Sequence, residues 1–177
     1  MISRILKFEI LGMVFISLLG SFLHFTFQLS HKFWLVGIFS AVNESTLEHL
    51  KLAVIPAILW AILESRVFKL KTGNFLFAKA AGIWLMPIFI IIFFYGYKAI
   101  LGYHNLLLDI SIFILSVIIG QIISYKITTL PEFSQRFNAI SLISIIILFL
   151  VFAIFTFYPP HFFLFQDPVS GGYGIIK

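Results

Sequence analysis

The stretch N-E-S-T-L-E-H-L-K-L-A-V-I-P-A-I-L-W-A-I-L-E-S, Asn43 to Ser65, sets two carboxylates, an imidazole and an ammonium group at the mouth of an apolar run long enough to cross a bilayer. Ionisable groups are costly at that depth, and are kept where they pair, line a polar cavity or do chemistry. With Asn43 taken as the N-cap, Glu44, Glu48 and Lys51 fall at i, i+4 and i+7 on one helical stripe, and His49 points to another face. Two acids against one base leave one carboxylate to spare for a metal, a proton or a substrate hydroxyl. The plainer reading is an ion-pair ladder that lets a helix begin near the interface.

Everything around that stretch is apolar. Of 177 residues, 61% are hydrophobic and 11% charged, with a mean hydropathy of +1.10. Soluble domains carry about a quarter charged residues, so the composition is that of an integral membrane protein. The net charge of +5 and pI near 9.6 come from basic residues scattered through short connections, not from a phosphate-binding track, and nucleic acid is excluded as a partner. The absence of cysteine removes disulfides, thiolate nucleophiles and thiolate metal sites, leaving His, Asp and Glu as ligands or proton carriers. Arg4 and Lys7 precede an apolar run as in a signal peptide, but Glu9 interrupts it and no A-x-A site follows, so it reads as a first span.

Five apolar runs reach spanning length: Ile5 to Phe27, Thr46 to Ser65, Phe75 to Tyr97, Leu106 to Tyr125 and Ala139 to Tyr158. Phe33 to Val42 is apolar but too short to cross, and fits a re-entrant or interfacial helix with Trp34 at headgroup level. The expected fold is therefore an all-α, polytopic helical bundle, one domain over 1–177 with five spans and one short helix. Arg4, Lys7, Arg66, Lys69, Lys71, Lys79, Lys126 and Arg136 fall on one side; Lys32, Lys51, Lys98 and Lys177 fall on the other. That bias places the N-terminus in the cytoplasm and the C-terminus outside.

This topology gathers all five histidines, with Glu44, Glu48, Asp109 and Asp167, toward the outer leaflet. Ser17, Ser21, His24 and Gln28 form one polar stripe on the first span, and Asn105, Asp109, Ser116 and Gly120 another on the fourth. Pro56 frees a backbone carbonyl one turn earlier in the second span. Ala78 and Gly82 form a small-residue step suited to close packing of the third. The last span, with few polar residues beyond Asn138, Ser141 and Ser144, reads as a lipid-facing wall. The tail P-P-H-F-F-L-F-Q-D-P-V-S-G-G-Y-G, punctuated by Pro and Gly, is expected to fold back over the outer mouth, with Asp167 forming a turn.

H-E-x-x-H, G-x-S-x-G and Walker patterns are absent, and E-x-x-x-E-H alone is a weak signal. The combination of polar helices at one depth supports an intramembrane hydrolase or transferase acting on a lipid or lipid-anchored substrate. The catalytic candidates are Glu44, Glu48, Lys51 and Asp109, with Glu48 or Asp109 as general base and Lys51 or Ser45 stabilising developing charge. His24, His49 and Glu48, with His161 as a further ligand, are candidates for a divalent ion such as zinc with an open water position. Ser17, Ser21, Gln28, Asn43, Ser45 and Asn105 would line the substrate. The competing readings are a proton- or cation-coupled carrier or receptor for a small solute, and a non-catalytic assembly protein whose polar cluster locks the bundle. The partners expected are the lipid bilayer and a lipid or small-molecule substrate; a homodimer is compatible with the chain.

G-S-F-L-H-F at Gly20 to Phe25, N-E-S-T-L-E-H-L-K-L at Asn43 to Leu52 and the closing D-P-V-S-G-G-Y-G-I together resemble an uncharacterised family of small bacterial polytopic membrane proteins. The resemblance covers nearly the whole chain. It implies a shared fold and points to Gly20, Ser21, His24, Asn43, Glu44, Ser45, Glu48, His49 and Lys51, but implies no activity. Leu47 stands where the resembled pattern carries tryptophan.

Overall fold

Pro56 and Gly20 explain how the first two long helices meet. Proline has no amide to give the carbonyl four residues back, so Leu52 O is left without its helical partner. Gly20 packs on that carbonyl: a Cβ added there would lie 2.3 Å from Leu52 O, so the position belongs to a glycine hydrogen. The contact is a close Cα–H···O approach, and it requires glycine.

A computed structural model describes residues 2–66 and 73–175. Lys69, Lys71 and Lys177, used above for orientation, lie outside the described residues. The helices are α1 (Ile2–Leu29), α2 (Trp34–Gly37), α3 (Thr46–Arg66), α4 (Phe75–Leu101), α5 (Leu106–Thr128) and α6 (Gln135–Phe157). All but α2 are long and apolar enough to cross a membrane. The protein is thus an all-helical, membrane-embedded bundle.

The core follows the helical period. On α1, Ile5, Glu9, Gly12, Ile16, Gly20 and Phe27 are buried, one stripe of a helix whose other faces are exposed. Helix α3 is the most enclosed span, and Leu50, Ala53, Val54, Ala57 and Trp60 form the centre of the core with Ile83, Met86 and Val117. Helices α4 and α5 cross at Gly82 and Gly120, where a Cβ on Gly82 would approach Gly120 O to 2.6 Å. At the N-terminal end of the bundle, Asn74 donates to the Leu130 and Pro131 carbonyls and accepts from the Phe133 amide, fixing the α5–α6 connection.

Helix α6 is less of a wall than its composition suggests. It is strongly apolar, yet Thr156 is completely buried and bonded to the Glu48–Lys51 pair. The reading of α6 as purely lipid-facing is corrected at that residue.

Candidate functional site at the histidine end

The chain from Asn43 to Lys51 does not fold as one helical stripe. Asn43 Oδ1 accepts from the Ser45 amide at 2.8 Å and Nδ2 donates to Gly174 O at 2.8 Å, so Asn43 makes a local turn and a tail contact rather than a helix cap. Helix α3 starts at Thr46. The Ser45 carbonyl takes the His49 amide, and the orphan Leu47 amide is satisfied by Leu164 O of the tail at 3.0 Å. Glu44 therefore lies outside the helix, and the two carboxylates part company. This corrects both the expected Asn43 cap and the expected alignment of Glu44 with Glu48.

Glu48 and Lys51 face inward as an i, i+3 pair with Nζ to Oε2 at 2.6 Å, both essentially inaccessible. The ammonium group also donates to Gly37 O at 2.8 Å and Thr156 Oγ1 at 2.7 Å. Glu48 Oε2 accepts from the Val42 amide, and Oε1 from the Thr156 hydroxyl. Every ammonium proton is thus engaged, while the single Thr156 hydroxyl proton is shared between Glu48 Oε1 and the nearer Phe152 O at 2.9 Å. The pair anchors the segment from Gly37 to Val42 and the end of α6 to α3. The pair is buried, committed to the fold and outside the group of His24, Glu44 and His49, so the expected catalytic roles of Glu48 and Lys51 and the ligand role of Glu48 are not carried further.

Glu44 instead meets two histidines. Its Oε2 lies 3.4 Å from His49 Nε2 and its Oε1 3.9 Å from His24 Nε2, and the imidazole centroids are 5.2 Å apart. One ligand atom from each of His24, Glu44 and His49 lies within 4.8 Å of the others. The side chains are 27%, 49% and 38% exposed in that order, so the group opens to the surface. His49 Nδ1 faces the Ser45 carbonyl at 2.9 Å, which sets Nδ1 as the protonated nitrogen and leaves Nε2 toward Glu44. A carboxylate oxygen and Nε2 thus face each other across a gap that a proton or a metal ion would bridge. The hydrogen bond from His49 holds the Glu44 carboxyl below the usual carboxylate range, with both imidazoles adding to the effect against partial burial and the charge of Asp167.

The remaining candidates lie elsewhere or serve the fold. Asp109 Oδ1 accepts from the Tyr97 hydroxyl, and Oδ2 lies 3.5 Å from His104 Nδ1, tying the end of α4 to the start of α5 apart from the Glu44 group. Asn105 caps α5, accepting from the Leu107 and Leu108 amides. His161 stacks on Tyr173, ring centroids 4.4 Å apart, and is not a member of the three-residue group. Ser21 bonds back to Ser17 O on an exposed face, and Gln28 is exposed, so the polar stripe on α1 borders the core instead of lining a closed cavity. Asp167 closes its own turn: burial pushes its carboxyl up, but bonds from the Ser170 hydroxyl and the Val169 and Ser170 amides bring it below the ordinary value. An apolar groove lined by Phe22, Thr26, Leu29, Leu35, Val36 and Phe39 lies on the flank of α1 away from His24.

A family model of unknown function, DUF6512, matches residues 1–175. The chain belongs to this family. Matches to curated proteins and to solved structures are both lacking. The DUF6512 match spans the helical bundle, the Glu44 group and the tail alike.

One polar cluster was not anticipated. Glu9 of α1, Glu64 of α3 and Lys79 of α4 meet in the core at the other end of the bundle, with Lys79 Nζ 2.7 Å from Glu9 Oε1 and in contact with Glu64 Oε2. Lys79 thus has a core role beyond marking membrane orientation. The available signal was a lone acid or base inside each of three apolar runs, but nothing in one helix names its partner on another.

Proposed function

We propose that His24, Glu44 and His49 form a divalent-metal centre at a membrane interface, and that the protein uses it to hydrolyse or transfer a group of a lipid or lipid-anchored substrate. The observation that carries the proposal is the convergence of three ligand atoms from α1, the connection before α3, and α3 itself. Around a tetrahedral ion with bonds of about 2.1 Å, ligand atoms lie about 3.4 Å apart; one atom from each of the three side chains lies within 4.8 Å of the others here, so the group draws in to hold an ion. Two imidazoles and one carboxylate are a set used by hydrolytic zinc sites, which keep the fourth position for water. The partial exposure of all three side chains supports such an open position. The backbone carbonyl behind His49 supplies the outer contact that orients a ligating imidazole. The basic-residue bias supports a cytoplasmic N-terminus, with the metal centre facing the outside. Lys51 and Lys79 are both buried, which removes one residue from each side of that comparison and leaves the bias intact.

The test is metal analysis of detergent-purified chain after equilibration with zinc and exhaustive dialysis. One equivalent should remain in the parent protein and be lost in His24→Ala, His49→Ala and Glu44→Gln, while Asp109→Asn retains it. A parent protein that holds no zinc, or retention in all three ligand variants, ends the proposal. Chelator-sensitive hydrolysis of ester or phosphoester lipids in mixed micelles would test the reaction itself.

A further inference from the structure

The Glu9–Glu64–Lys79 cluster has more acid than base. Glu9 and Glu64 are each 1% exposed and Lys79 is 3% exposed. Both carboxylates meet the same ammonium group, so with both acids ionised the three buried side chains sum to one negative charge. An uncompensated charge there costs several kcal/mol, which favours a neutralising ion.

Among the described residues, the groups that hydrogen-bond to or face the two carboxylates besides Lys79 are polar but uncharged. Ser124 of α5 donates to Glu9 Oε1 at 2.8 Å, Gln121 Nε2 lies 3.4 Å from Glu9 O, and the Trp60 indole of α3 faces Glu64. On α4, the Phe75 ring centroid lies 5.6 Å from Lys79 Nζ. Arg4 sits on the exposed side of α1 over the Phe8 ring. Glu9 Oε2 is buried without a hydrogen-bond partner, an acceptor waiting for a proton.

Glu9 Oε2 and Glu64 Oε1 are both buried acceptors without a hydrogen-bond donor, and a proton supplies a donor to such a pair while needing no coordination shell of its own. We propose that Glu9, Glu64 and Lys79 form a proton-binding site, in which the two carboxylates share one exchangeable proton and the cluster carries no net charge. Binding converts one carboxylate to a carboxylic acid, whose O–H satisfies an acceptor oxygen, and release returns the proton to water at the N-terminal end of the bundle. The site is independent of the metal centre: Glu9 and His24 are separated by ~22 Å of α1 at 1.5 Å per residue.

Infrared spectroscopy of the full chain in lipid vesicles tests this. The parent protein at neutral pH should show the carbonyl stretch of a protonated carboxylic acid, which fades as the pH is raised. Glu9→Gln and Glu64→Gln each leave one carboxylate for Lys79, and each should lose the band. Absence of the band from the parent protein, or its persistence in both variants, overturns the proposal. So does a thermal midpoint that follows sodium concentration at fixed pH. If either glutamine variant fails to fold the other carries the comparison, and if both fail the pH-resolved spectrum of parent protein with isotope-labelled glutamate carboxyls decides it.

Discussion

At the scale of single residues, the two glutamates four positions apart have opposite fates. Glu48 lies inside with Lys51; removing its charge strands a buried ammonium group. Glu48→Ala should cost about 3–5 kcal/mol of unfolding free energy, read from denaturant unfolding in detergent, and the isosteric Glu48→Gln should also destabilise. Glu44→Gln should leave the metal-free protein close to parental stability at neutral pH, since half of that side chain is exposed to solvent. Its effect should depend on pH. The folded carboxyl titrates below its ordinary value, so its contribution is present above the unfolded value and disappears as pH falls through the lower folded one. The difference in melting midpoint between parent and Glu44→Gln should therefore shrink to nothing in strong acid. A difference that persisted undiminished in strong acid, below the range of the folded carboxyl, would refute the pairing with His49. That Lys51 could satisfy only one of two acids was legible in the sequence. Which acid it takes was not, because the choice turns on Asn43 bonding Gly174 from across the chain.

At the scale of elements, the junction of α1 and α3 rests on a missing side chain meeting a missing amide. Gly20→Ala should cost about 1–3 kcal/mol through overpacking. Pro56→Ala restores an amide that draws Leu52 O back toward the α3 axis, so it should relieve part of that cost. The double variant should be less destabilised than the sum of the single ones, a coupling that a double-mutant cycle of unfolding free energies measures. Strict additivity would separate the two features. The proline's freed carbonyl could be read from the sequence, since it follows from the chemistry of one residue. Its meeting with Gly20 depends on rotation and register between two helices, which neither helix specifies alone. Asp167 belongs to this scale as well, because its ionised carboxylate organises the turn of the tail. Its folded value is depressed, so the turn is supported above the ordinary aspartate range and loses that support in acid. Limited proteolysis should cut between Gln166 and Gly172 faster as pH falls, and Asp167→Asn should be cut readily at every pH.

For the whole molecule, five helices are long and apolar enough to cross, and if each crosses once the two ends of the chain fall on opposite sides. The lack of native cysteine makes this directly testable. Val169→Cys, at an exposed tail position, should react with an impermeant maleimide on intact cells. Ser3→Cys should react only after lysis, and the reverse pattern would invert the orientation. Labelling of both from one side would rule out an odd number of spans. The spans were legible because twenty or so apolar residues in a row have few other uses. The two polar clusters were half legible: each ionisable residue stood out against its apolar run, but His24 with Glu44, and Glu9 with Lys79, are brought together only when separate helices pack.

The tail also bears on how the protein is made. Glu44 sits in a connection held by the Gly174 and Leu164 carbonyls, through Asn43 and the Leu47 amide. During translation that connection leaves the ribosome well before α4, α5 and α6, whereas its clamp follows α6. The nascent chain therefore carries both imidazoles and the carboxylate through the synthesis of α4, α5 and α6 without the backbone partners that set their spacing, and the three side chains take up their final arrangement only once the tail has folded back.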